Sequence, residues 1–227
     1  MSQVPYDSLE EVQILKVHLR NLFESLIKFN NTGSSRGVLN KKQEVCSRLI
    51  PQTLNLALAF DSLLVGGWLY PAEVLIRPFA ERLGTICYFA FEPEKAVAEW
   101  EKGWKMNSRP TLEDRLKLLP ITSTVSQLRG VDWANMIDAK QIVISKLNSL
   151  NSAIHGDEHS TYYTTSHSNK NVDYYSLGPE LNDVEYVKQL ALIMACLVMF
   201  FPLVLLQVFP DFLSDIVEDN SSVKANP

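Results

Sequence analysis

Twenty consecutive residues, Leu190 to Phe209, carry no charge in a chain of 227. A run of this length and apolarity is stable either across a bilayer or as a helix enclosed by other helices. Pro202 and Gln207 interrupt it, and no Lys/Arg cluster flanks either end to set an orientation. The reading adopted is a core helix, which requires several further helices to cover it. A single-span membrane effector is the alternative.

The rest of the chain supplies such helices. Ser8 and Glu11 have capping-box spacing, and Val12, Leu15, Leu19, Leu22, Leu26 and Phe29 follow helical periodicity. A second helix is expected from about Asn40 to Val65, with Pro51 a possible restart, and a third from Pro71 to Phe91, with Pro78 inside it. Glu94 to Met106 and Thr111 to Leu119 have shorter amphipathic patterns. Asp132 to His155 is predicted as a long helix stopped by Gly156, and a last helix runs from Asn182/Asp183 to about Glu218. Residues 157–180 are rich in Ser, Thr, Asn and Tyr. There Thr161–Thr164 and Val172–Tyr175 can pair as a short β-hairpin, or the segment is an ordered loop. The expected fold is all-α: a compact bundle of about five to seven helices, centred on the third and the last. It forms one domain over 1–219 with a tail at 220–227.

Charge and composition narrow the function. The net charge of −5 provides no global attraction for nucleic acid, so RNA binding would need a local patch. Cys46, Cys87 and Cys196 are odd in number and contain no C-x-x-C pair, which fits reduced thiols in a cytoplasmic protein. P-loop, dinucleotide-fold, nucleophile-elbow and H-E-x-x-H signatures are absent from the sequence. No cofactor is called for. Trp68, Trp100, Trp104 and Trp133 are expected to be core or interface aromatics.

Two polar groups stand out. Arg77 and Glu81 lie four apart on an apolar helix whose other charges are Glu73 and Arg82, so they share a face. They form either a buried clamp pinning two helices or an anion-binding arginine with a carboxylate beside it. His155 closes the long helix with Asn151 one turn earlier, an arrangement suited to proton transfer or simply to a helix end. His155, Asp157 and His159, with His167 nearby, are metal-capable residues, but a loop string offers no fixed ligand geometry and no metal site is expected.

The segment Leu75-Ile76-Arg77-Pro78-Phe79-Ala80-Glu81 resembles the L-x-R-x-x-x-E helix of a bacterial all-helical family of unknown function. Leu150-Asn151-Ser152-Ala153-Ile154-His155-Gly156 resembles that family's L-S-x-x-x-H-G, with Asn151 in the place of Ser. That family is in turn similar to the HEPN superfamily of helical bundles, which are often dimeric. Many of these are metal-independent ribonucleases of toxin–antitoxin or antiviral defence systems with an R-x4-6-H motif. Here no Arg lies within the six residues before His155. What the resemblance implies is therefore twofold. The preferred expectation is a non-catalytic binding or regulatory module in such a system, acting as a homo-oligomer or with a protein partner. The alternative is a HEPN-like ribonuclease acting on RNA, with Arg77, Glu81, Asn151 and His155 as its catalytic group. A membrane partner is not expected.

Overall fold

A computed structural model describes residues 5–32, 38–105, 110–118, 165–167, 173–175 and 183–210. These contain six α-helices: α1 (Glu10–Thr32), α2 (Lys41–Val65), α3 (Leu69–Phe91), α4 (Pro93–Glu101), α5 (Leu112–Lys117) and α6 (Val184–Val208). A 3-10 turn, Tyr6–Ser8, precedes α1. Two three-residue strands, β1 (Thr165–His167) and β2 (Asp173–Tyr175), pair antiparallel with Ser166 opposite Tyr174. The fold is thus helical with one minor hairpin, whose first strand begins after the predicted 161–164. The helix predicted over 132–155 and the tail at 220–227 lie outside the described residues.

α1 starts one residue later than its capping-box pattern predicts, at Glu10. The Ser8 hydroxyl donates back to the Pro5 carbonyl at 2.7 Å, so it closes the 3-10 turn and does not cap α1. Leu9 instead supplies the first carbonyl of the helix, to Gln13. Val12, Leu15, Leu19 and Leu22 are buried as their spacing requires.

α2 has the capping box. Asn40 accepts from the Gln43 amide at 3.0 Å, and the Gln43 side chain accepts from the Asn40 amide at 3.1 Å. Pro51 does not restart the helix. It sits on an exposed position, where the carbonyl deprived of its amide partner can turn to water. Pro71 lies in the first turn of α3 and Pro78 inside it.

α4 stops at Glu101, short of the predicted Met106, because Gly103 and Trp104 both take left-handed backbone conformations, φ +87° and +53°. Trp104 then folds back, its ring 5.8 Å from Phe89 and 5.5 Å from Trp100 between centroids. That packing holds a non-glycine residue in a conformation it otherwise avoids. Trp100 and Trp104 are therefore core aromatics, whereas Trp68 is 43% exposed and Trp133 lies outside the described residues.

α6 packs against α1, α3 and α2, and Phe79 of α3 meets Phe201 with ring centroids 6.3 Å apart. It is long and apolar enough to cross a membrane, yet 61% of its most apolar window is buried. Asp183 caps its start by accepting from the Tyr186 amide at 3.1 Å. It ends at Val208 rather than near Glu218, since Pro210 forces Phe209 out of helical geometry (φ −126°, ψ 87°). Two side chains of α2 take up the orphan carbonyls there: Lys42 Nζ donates to Gln207 at 2.9 Å and Gln43 Nε2 to Val208 at 3.3 Å.

Candidate functional site

Three of the four charged residues of α3, Glu73, Arg77 and Glu81, follow four-residue spacing, and Arg82 is the fourth. Glu73 is 4% exposed, and the side chains of Arg77 and Glu81 are 19% and 30% exposed. Arg77 donates to Glu81 Oε1 at 3.0 Å, as the sequence spacing predicts. That bond lies within α3 and pins no second helix. The cross-helix arm comes from Arg115 on α5, a residue sequence reasoning did not single out.

Arg115 is 1% exposed and is the largest fully buried side chain among the described residues. Its Nη2 donates to Glu81 Oε2 at 2.5 Å. Nη1 donates to the Thr85 hydroxyl at 2.7 Å and to the Glu81 carbonyl at 3.2 Å, and Nε donates to the Thr111 carbonyl at 3.4 Å. The Thr85 hydroxyl in turn donates to the Glu81 carbonyl at 2.8 Å. Glu81 thus receives one guanidinium on each carboxylate oxygen, and each nitrogen of Arg115 has an acceptor. A buried arginine survives only with such compensation.

The local sequence explains how α5 delivers Arg115. Thr111 caps the helix by accepting from the Asp114 amide, and Leu112 and Leu116, both buried, flank Arg115 at helical spacing. All three therefore face α3. Gly84 makes the approach possible, since a Cβ there would lie 2.8 Å from Leu112 Cδ1 and 3.6 Å from Arg115 Cβ. The signal available in the sequence was the apolar pair Leu112/Leu116 enclosing an arginine in an otherwise charged six-residue segment.

Asn151 and His155 lie outside the described residues, as do Asp157 and His159; His167 is the last residue of β1. The structure therefore brings together Arg77 and Glu81 of the predicted group and adds Arg115 and Thr85. Among the described residues, no three His, Cys, Asp or Glu side chains gather in a way that could hold a metal ion. Cys46 and Cys196 are free thiols whose titration burial pushes up to about 12 and about 11, which leaves little thiolate for nucleophilic work near neutral pH.

No family model, no curated protein and no solved structure matches this chain.

Proposed function

We propose that this protein is a non-catalytic helical binding or regulatory module, in which Arg77, Glu81 and Arg115 are scaffold rather than chemistry. The observation that carries this reading is the commitment of Arg115. Every guanidinium nitrogen already donates to Glu81, Thr85 or Thr111, and the group is 1% exposed. To receive a phosphate it would have to abandon those acceptors inside the protein, which is unfavourable when no water can replace them. Glu81, held on both oxygens, is equally ill-placed to take a proton from a substrate. A cytoplasmic setting, a homo-oligomer or protein partner, and a bacterial defence or toxin–antitoxin context belong to this reading. The last of these rests only on the resemblance carried by the L-x-R-x-x-x-E and L-S-x-x-x-H-G motifs.

The second reading is a HEPN-like, metal-independent ribonuclease. Arg77 favours it, because a fifth of its side chain is exposed and can meet solvent or a ligand. In that mechanism Arg77 would stabilise the phosphorane, and His155, oriented by Asn151, would move the ribose 2′-hydroxyl proton. RNA cleavage and growth arrest on expression separate the two readings. For the module, wild type, Arg77→Ala and His155→Ala all leave RNA intact and cells growing. Cleavage by wild type that folded Arg77→Ala and His155→Ala lose would overturn it.

A further inference from the structure

α5 is seated on α3 by Leu112, Arg115 and Leu116. Among the described elements, only α3 makes a broad contact with it, whereas α3 also packs against α2, α4 and α6. The three anchors are buried, while Glu113, Asp114 and Lys117 face water. The seat repeats the i, i+3, i+4 spacing of its occupant. Glu81 and Thr85 accept from the guanidinium, and Gly84 leaves room for Leu112 between them.

The seat is assembled without α5. Arg77 donates to Glu81 Oε1 at 3.0 Å from within α3, which holds the carboxylate and leaves Oε2 to the guanidinium that arrives. The Thr85 hydroxyl is tethered to the Glu81 carbonyl at 2.8 Å. α5 is the opposite case, since a helix of six residues has too few internal bonds to persist once undocked. An element with one broad packing partner and little order of its own opens more readily than the core beneath it. When it opens, Arg115 leaves with it and passes into water, so no charge stays buried without acceptors.

We infer that this face of α3 is a docking groove for a helical segment of a partner protein, one presenting Leu, Arg and Leu at i, i+3 and i+4, and that α5 occupies it in cis as an autoinhibitory plug. The inference rests on the reading of this protein as a binding module and names that module's ligand. Recognition of one helix face by a few anchors is the usual way an amphipathic segment binds a groove. The anchors are set by what α5 shows: leucine against the Gly84 notch, and a guanidinium that reaches Glu81 and Thr85 together. Lysine lacks that fork.

Length decides between a foreign helix and a second copy of this chain. α5 competes from within the chain at an effective concentration of about millimolar. The α5 of a second copy makes the same contacts and nothing more, so it loses that competition. A longer helix of another protein is helical before it binds and adds turns beyond the six residues of α5, which lets it prevail.

The probe is a fluorescein-labelled, alanine-rich helical peptide of about 16 residues carrying Leu-Ala-Ala-Arg-Leu. The full chain with Leu112→Ala and Leu116→Ala, its plug unseated, should bind the peptide saturably. Wild type should bind it at least tenfold more weakly, and a peptide with Ala in place of Arg should lose binding to both. No binding to the unseated chain, equal affinity for the two chains, or equal binding of the Arg-less peptide overturns the groove. A wild-type dimer that the peptide splits would assign the groove to a second copy and overturn the foreign partner. Hydrogen exchange in wild type decides the matter even where the unseated chain does not fold. The Arg115 amide, which donates to the Thr111 carbonyl, should exchange at least tenfold faster than the Phe89 amide of α3. Equal protection would mean that α5 opens only with the whole fold, and the plug fails. Loss of the groove leaves the RNA assay unaffected, so it is distinguishable from loss of the module reading.

Discussion

The centre of the α3–α5 contact is a carboxylate shared by two arginines, and the three side chains are far from equivalent. Arg115 loses its ionic partner with little water to replace it if Glu81 is removed, because it is only 1% exposed. Arg77, one turn from Glu81 and partly exposed, can rehydrate. Deleting one member of a buried pair costs about 3–5 kcal/mol, whereas an i,i+4 pair near the surface is worth about 0.3–0.5 kcal/mol. Glu81→Ala should therefore destabilise by about 3 kcal/mol, the low end of that range because Glu81 itself is 30% exposed. Arg77→Ala should cost about 1 kcal/mol or less. Urea denaturation of the two variants checks the order, and an Arg77 variant as damaged as the Glu81 one would show that Arg77 carries the clamp. Half of this arrangement was legible beforehand. Arg77 and Glu81 are visible because they are two of only four charges on an apolar helix and stand one turn apart. Arg115 is hidden because Glu113, Asp114 and Lys117 surround it and give its segment the look of a solvated surface turn.

Element boundaries show which local signals prevailed. Periodicity located α1, α2 and α3 within two or three residues, since each buries a continuous apolar face against α6 or a neighbour. Cap chemistry was less decisive: the Ser8 hydroxyl is drawn to the Pro5 carbonyl, whereas the Asn40 side chain accepts from the Gln43 amide. Pro51 breaks nothing, yet Pro210 ends α6 ten residues before the apolar and acidic pattern fades. The difference is position, because a proline within α2 forfeits one hydrogen bond, while at the close of α6 the backbone turns away. At this scale the most exposed dependence is that of α5, a six-residue helix with too few internal bonds to persist alone, on the notch at Gly84. Gly84→Val should push α5 off α3 and destabilise by about 1–3 kcal/mol, the usual range for overpacking. Adding Leu112→Ala, which removes the atom met at 2.8 Å, should recover part of that loss. A double-mutant cycle by thermal denaturation measures the coupling, and strict additivity would show that the notch does not seat α5.

For the molecule as a whole, the decisive fact is that its most apolar helix packs against three others, which bury 61% of its most apolar window. α6 has the composition of a membrane span, but its buried residues run from Val187 to Val208 on the sides facing α1, α2 and α3. The expressed chain should partition into the soluble fraction and purify without detergent; recovery only with membranes would favour the single-span alternative. The same placement has a consequence for biogenesis. Translation delivers the helices in order, and the one that fills the centre emerges after the other five described here. At about 5–20 residues per second, the interval between the end of α3 and the end of α6 is on the order of ten seconds. Throughout it, Leu15, Leu19, Phe79 and their neighbours line a trough with no occupant. The nascent chain must be shielded by a chaperone or by its own transient collapse until α6 arrives, and the bonds from Lys42 and Gln43 to the last carbonyls of α6 cannot form before then.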